Sequence, residues 1–106
     1  MDQAHQARKQ ADQAAARLRD AAARDLVGRT LESDIDRLEM AAREFGRRMV
    51  AVSDAVASCG QSDQFAAEIL SLQKRCAQML ETVQLIRSDG VSSTLPLLDH
   101  LLQDPT

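Results

Sequence analysis

Tryptophan and tyrosine are absent from this 106-residue chain, and Phe45 and Phe65 are its only aromatic residues. So few rings leave little to wall a small-molecule pocket, and they suit a sheet poorly, since strands favour aromatic and β-branched side chains. No apolar run approaches the roughly 20 residues that a bilayer-spanning helix needs, and the N-terminus lacks the apolar stretch of a signal peptide. The plain expectation is a soluble cytoplasmic protein with no membrane insertion. Charge of one sign is missing too: thirteen basic and sixteen acidic side chains leave a net charge of -3. No global field attracts nucleic acid, so none is expected as a partner. What asymmetry exists is mild, with six Arg/Lys and four Asp in residues 1–30 against three Lys/Arg and six Asp/Glu in residues 61–106.

What remains is a helix-forming palette. Apolar residues make up 44% of the chain, mainly Ala, Leu, Val and Met, which pack helices well. The length corresponds to one all-α domain with a modest core, near the size at which assembly with a partner supplies missing burial.

Residues 2–27 carry Ala4, Ala7, Ala11, Ala14, Leu18 and Ala21 at alternating spacings of three and four, the pattern of a helix with a narrow, small-residue stripe. Burial of Ala yields little, so this helix must approach a neighbour closely or stay partly mobile. Continuing the register would bring Asp25, Gly28 and Glu32 into the stripe, which predicts a break near Gly28 with Thr30 as the next N-cap. The competing possibility is one rod running straight through Gly28, with the seams zipped between subunits.

From Ile35 the periodicity is strict. Ile35, Leu38, Ala42, Phe45, Met49, Val52 and Val56 form one seam of a helix over 31–59. Gly60 then suits a helix end and Ser62 an N-cap. Phe65, Ile69, Leu72, Cys76, Met79, Val83 and Ile86 form a second seam over 62–89. In an antiparallel hairpin paired residue numbers add to a constant, and all seven pairs from Val56 with Phe65 to Ile35 with Ile86 share the sum 121. Sizes also compensate: Phe45 faces Cys76, and Ala42 faces Met79, as close packing requires. A coiled-coil-like antiparallel hairpin is therefore predicted as the centre of a three- to four-helix bundle.

Beside its seam the 62–89 helix carries Ala66, Leu70, Ala77 and Leu80, wider than one neighbour covers, so a third helix is expected there. The matching flank of 31–59 is shallow, with Gly46, Ser53 and Ala57, and the Ala-rich first helix is its expected occupant. After Asp89-Gly90, Thr94 reads as an N-cap and Pro96 as a first-turn residue of a short helix over 95–103, bearing Leu95, Leu98, Leu101 and Leu102. A helix that short must dock, across its own bundle or into a partner's groove. Leu98-Asp99-His100-Leu101-Leu102 also fits the LxxLL pattern of groove-docking helices, although an intramolecular cap explains it with less.

Chemical constellations are scarce. In the hairpin register Cys59 lies by the turn and Cys76 about four turns away (~22 Å at 1.5 Å per residue), which excludes an intrachain disulfide and predicts buried free thiols in a reducing compartment. His5, expected in a frayed N-terminus, and His100, among leucines, have no zinc-ligand spacing to the cysteines. Nor do they have the basic and small neighbours that a histidine phosphotransfer bundle places around its site. Serines fall at turns, and Glu39 with Arg43 and Glu44 with Arg48 have salt-bridge spacing rather than that of paired catalytic acids. No catalytic residue, metal site or cofactor is expected.

Arg43, Arg47 and Arg48, with Arg37 along the same side, read either as a grip for an acidic partner or as a solvated face. The chain is thus expected to be a non-catalytic protein–protein interaction module, a small subunit or adaptor of a larger assembly. Its expected partners are helical proteins or copies of itself, and the candidate contact residues are Leu95, Leu98, Leu101, Leu102, Leu70, Leu80, Arg43 and Arg47. The alternative is a secretion-type chaperone or small secreted helical substrate, by architectural analogy alone.

Overall fold

A computed structural model describes residues 2–24, 28–60 and 62–103, except for the side chains at 28–30, 62 and 64. Four helices account for nearly all of them: α1 (Asp2–Ala23), α2 (Gly28–Ser58), α3 (Ser62–Asp89) and α4 (Val91–Gln103). The expected all-α bundle is what forms, with no strand among the described residues.

The two strict seams meet as the hairpin α2/α3. Leu38, Ala42, Phe45, Met49 and Val56 of α2 are buried with Leu72, Cys76, Met79, Val83 and Ile86 of α3. Gly46 lies against Cys76, Ser53 accepts a hydrogen bond from Gln73 at 3.4 Å, and Arg87 reaches Asp36 and Glu39 at 2.5 and 3.2 Å. These contacts fall within about a turn of the seam register. The hairpin closes at Gly60, whose φ of 70° suits a residue without Cβ and lets its N–H bond the Ala57 carbonyl at 3.3 Å.

α1 runs antiparallel to α2. Gln3 accepts from Arg48 at 3.1 Å near one end, while Arg17, Asp20, Ala21 and Arg24 surround a depression with Asp34 at the other. α1 ends at Ala23 and α2 starts at Gly28, so the continuous rod does not form. The break comes before Gly28, and residues 25–27 lie outside the described part. α2 is already helical at Gly28, which places Thr30 inside the helix rather than at its cap. The caps proposed at Thr30 and Ser62 otherwise depend on side chains outside the described residues. The buried α1 stripe is Ala4, Ala7, Ala11, Ala15, Leu18 and Ala21. Ala15 takes the place expected of Ala14, because a straight helix of 3.6 residues per turn drifts from strict three-four alternation.

α4 begins four residues earlier than expected. Gly90, at φ 89°, turns the chain sharply while its N–H closes the last turn of α3 on the Ile86 carbonyl at 2.9 Å. Val91 is then buried and starts the helix. Thr94 is not an N-cap but a buried helix residue, its hydroxyl bonded to the carbonyls of Gly90 and Val91 at 3.0 and 3.2 Å. Pro96 sits on the exposed side, where the Ser92 carbonyl it cannot serve is open to water. α4 returns along α3 and also packs on α1, so the helices form a ring in the order α1, α2, α3, α4. The molecule measures 50 × 21 × 21 Å. Beyond Arg48, where α1 starts, α2 continues to Ser58, about 15 Å at 1.5 Å per residue; the tip of the hairpin therefore projects as two helices.

Candidate protein-binding face

Beside its buried apolar seam, α3 turns a polar flank with Arg75 and Thr82 to the rest of the bundle and leaves a partly apolar flank open. Arg75, only 4% exposed, is enclosed where α1, α3 and α4 meet. Its guanidinium donates to the Leu101 carbonyl at 2.5 Å and to Asp12 at 2.9 Å, while its Nε has no partner. Thr82, buried beside α4, turns its hydroxyl to the Gln78 carbonyl at 2.7 Å. These bonds let a polar face be buried without stranding most of its donors. Sequence reasoning did not reach this role for Arg75, because a lone arginine on a helix face gives no signal until its acceptors, 63 and 26 residues away in sequence, are brought to it.

The third helix expected on the flank of Ala66, Leu70, Ala77 and Leu80 is not there. α4 and α1 pack on the flank of Arg75 and Thr82 instead, where Arg75 bonds to both of them. Ala66 and Ala77 are exposed, Leu80 is half-buried, and Leu70 is 67% exposed. Nor does α1 fill the shallow flank of α2. An open apolar furrow therefore runs between α2 and α3, lined by Gly46, Val50, Ser53 and Asp54 on one wall and by Leu70, Gln73, Ala77 and Leu80 on the other. Val50, 64% exposed, projects from its rim. Open apolar surface bordered by polar residues is the make-up of a contact site.

The candidate leucines of the last helix lie mostly inward. Leu98 and Leu101 are buried in the core, Leu102 is half-buried against it, and Leu95 is half-buried. The helix docks on its own bundle. What it leaves outward is Leu97, which with Leu85, Thr82, Glu81 and His100 borders a small hollow between α3 and α4.

Among the arginines, Arg43 lies 3.7 Å from Glu39, and Glu44 takes both Arg47 at 2.7 Å and Arg48 at 2.9 Å. The hydrogen bond from Arg47, reinforced by Arg48, holds the Glu44 carboxyl below its ordinary range. The hydrogen bonds that Arg87 donates to Asp36 and then to Glu39 push its guanidinium up. His5, placed in a formed helix rather than a frayed end, pairs with Glu68 of α3. Both cysteines are free, but Cys59 is exposed at the projecting tip, against the expectation that both thiols are buried. Only two helices meet there, and Cys59 follows the end of α2. Burial raises the Cys76 thiol above its ordinary value.

Among the described residues no three His, Cys, Asp or Glu side chains gather as a metal site, and no helix is long and apolar enough to cross a membrane. Comparison of the chain with protein-family models, with curated proteins and with solved structures finds no match.

Proposed function

We propose that the protein is a non-catalytic interaction module, a small helical subunit that binds protein through the outer furrow of its α2/α3 hairpin. The observation that carries this reading is the open flank with Leu70 and Val50 projecting from it, on the one side of the hairpin that neither α1 nor α4 covers. Leu70 and Leu80 supply apolar contact, and Arg43 and Arg47 supply charge at the border. The furrow suits an α-helical partner, because two parallel ridges with small residues between them accept the ridge of another helix. A cytoplasmic setting accords with the two free thiols. The reading as a secretion-type chaperone draws on a detachable last helix; here Leu98, Leu101 and Arg75 tie α4 down, so the subunit reading takes precedence.

The test is a photo-crosslinking amino acid placed in cells at Leu70 and, as control, at exposed Arg17 on α1. Specific protein adducts from position 70 alone are expected. Equal yields from both positions, or none from position 70, would remove the reading.

A further inference from the structure

Which helical partner fits is written in the two walls of the furrow, because each lacks what the other has. On α2 the wall is shallow, formed by Gly46 and Ser53 with exposed Ala57 following. On α3 it is raised by Leu70 and Leu80. Observed contacts set the levels: Gly46 stands beside Cys76, and Ser53 beside Gln73. A second hairpin laid face to face, related by a two-fold axis along the helices, puts α2 of one copy antiparallel to α3 of the other at these same levels. Leu80 then comes within a turn of the notch at Gly46, Leu70 falls at the notch of Ser53 and Ala57, and Val50 comes within about a turn of Ala77. Resting on the interaction-module reading, we propose that the outer face of α2/α3 is the interface of a two-fold homodimer in which α2 packs on α3 of the second copy.

Charge agrees with this arrangement. Arg43 lies on the α2 border, 67% exposed, and its only described carboxylate neighbour, Glu39 at 3.7 Å, is also bonded to Arg87 at the shorter 3.2 Å. At the level of Arg43 the second copy offers the exposed Glu81. Asp54, four residues beyond Val50, meets the border of the second copy within a turn of the exposed Lys74. Each contact occurs twice by symmetry. Turning the second copy end for end about the level of Val50 instead would oppose Lys74 to its own counterpart and leave Arg43 facing Ala57. The antiparallel neighbours also keep the helix dipoles opposed around the new four-helix layer.

Area is adequate. The face from Ala66 to Gln84 is about 27 Å long at 1.5 Å per residue and two helices, ~20 Å, wide. That footprint of ~550 Å² before corrugation approaches the ~800 Å² of accessible surface that each partner of a stable pair buries.

Sedimentation equilibrium on the whole chain tests the inference. The expected mass is twice the 11.6 kDa of the chain. L70E should give single chains with an unchanged helical spectrum, since Leu70 is not part of the core. R43E and E81R should each weaken association at least tenfold, and mixing the two variants should restore it, because every opposed pair in the mixed dimer is again attractive. A wild-type chain that stays single at ~100 μM, a dimer indifferent to L70E, or no recovery on mixing would overturn the homodimer. The crosslinking experiment judges the broader reading separately: adducts at position 70 to proteins other than this chain, with a single-chain mass, would keep the module and lose the homodimer.

Discussion

The Arg75 guanidinium bonds the main-chain carbonyl of Leu101 at 2.5 Å and the carboxylate of Asp12 at 2.9 Å, so one buried side chain on α3 holds both the end of α4 and the middle of α1. Its positive charge balances Asp12 and caps a carbonyl in the last turn of α4, where a cation is favourably placed against the helix dipole. The Ala-rich α1 and the short α4 thus gain a fixed position.

Breaking this arrangement from one side should cost more than replacing it. Asp12→Ala leaves a buried guanidinium without its counter-charge and should destabilise by about 3 kcal/mol. The double variant D12A/R75M, which removes the charge as well, should recover at least half of that. Urea unfolding of both measures the difference; equal losses would mean that the ion pair contributes only packing.

Phe45 is fully buried at the centre of the α2 seam. Phe45→Ala should cost about 3–5 kcal/mol, enough to unfold much of a marginal domain at 25 °C. An unaltered thermal melt would contradict the seam as the source of stability.

Glycines at 46 and 60 should respond in opposite directions. A Cβ on Gly46 would meet Cys76 Sγ at 3.7 Å, an ordinary contact, so nothing within the single chain requires a glycine there. Gly46→Ala should stabilise the single chain by about 0.5–1 kcal/mol through helix propensity. Gly60→Ala, at φ 70°, should destabilise by about 1 kcal/mol. Paired denaturation curves check both signs.

The thiols should react at two rates. Exposed Cys59 should be modified by a disulfide reagent near neutral pH as fast as a free peptide thiol. Cys76, buried and with its thiol pushed up by burial, should wait for opening of the hairpin. Two equal fast phases in the native protein would show that the α2/α3 seam opens readily.

Glu44 supplies a pH dependence. Its carboxyl is held below the ordinary range by Arg47 and Arg48, so the folded state binds this proton less readily than the unfolded chain. The contribution is present above the unfolded pKa and is lost as pH falls through the folded one. The melting temperature of the wild-type protein should fall slightly more than that of Glu44→Gln on acidification from pH ~6 to ~3. Superimposable profiles would show that this exposed cluster adds nothing.

The helical class, the four segments and the two seams were legible in residue spacing, because the 3.6-residue period and the glycine stops are local properties of the chain. Even the hairpin pairing was legible, since a tight turn at Gly60 leaves an antiparallel pair only a narrow choice of register. Local capping was less so: Thr94 has the chemistry of an N-cap, yet Val91 gains more by entering the core, and α4 starts there. What only the tertiary structure decided was which side of α3 is covered. Apolar content alone assigned the third helix to Leu70 and Leu80, but α4 and α1 lie on the flank of Arg75, whose guanidinium finds its acceptors in Asp12 and Leu101. The leucines of α4, candidates for a partner while only their spacing was known, became core. The furrow beside Leu70 was left open, because a chain whose helices are joined by such short turns closes its bundle with nearest neighbours first.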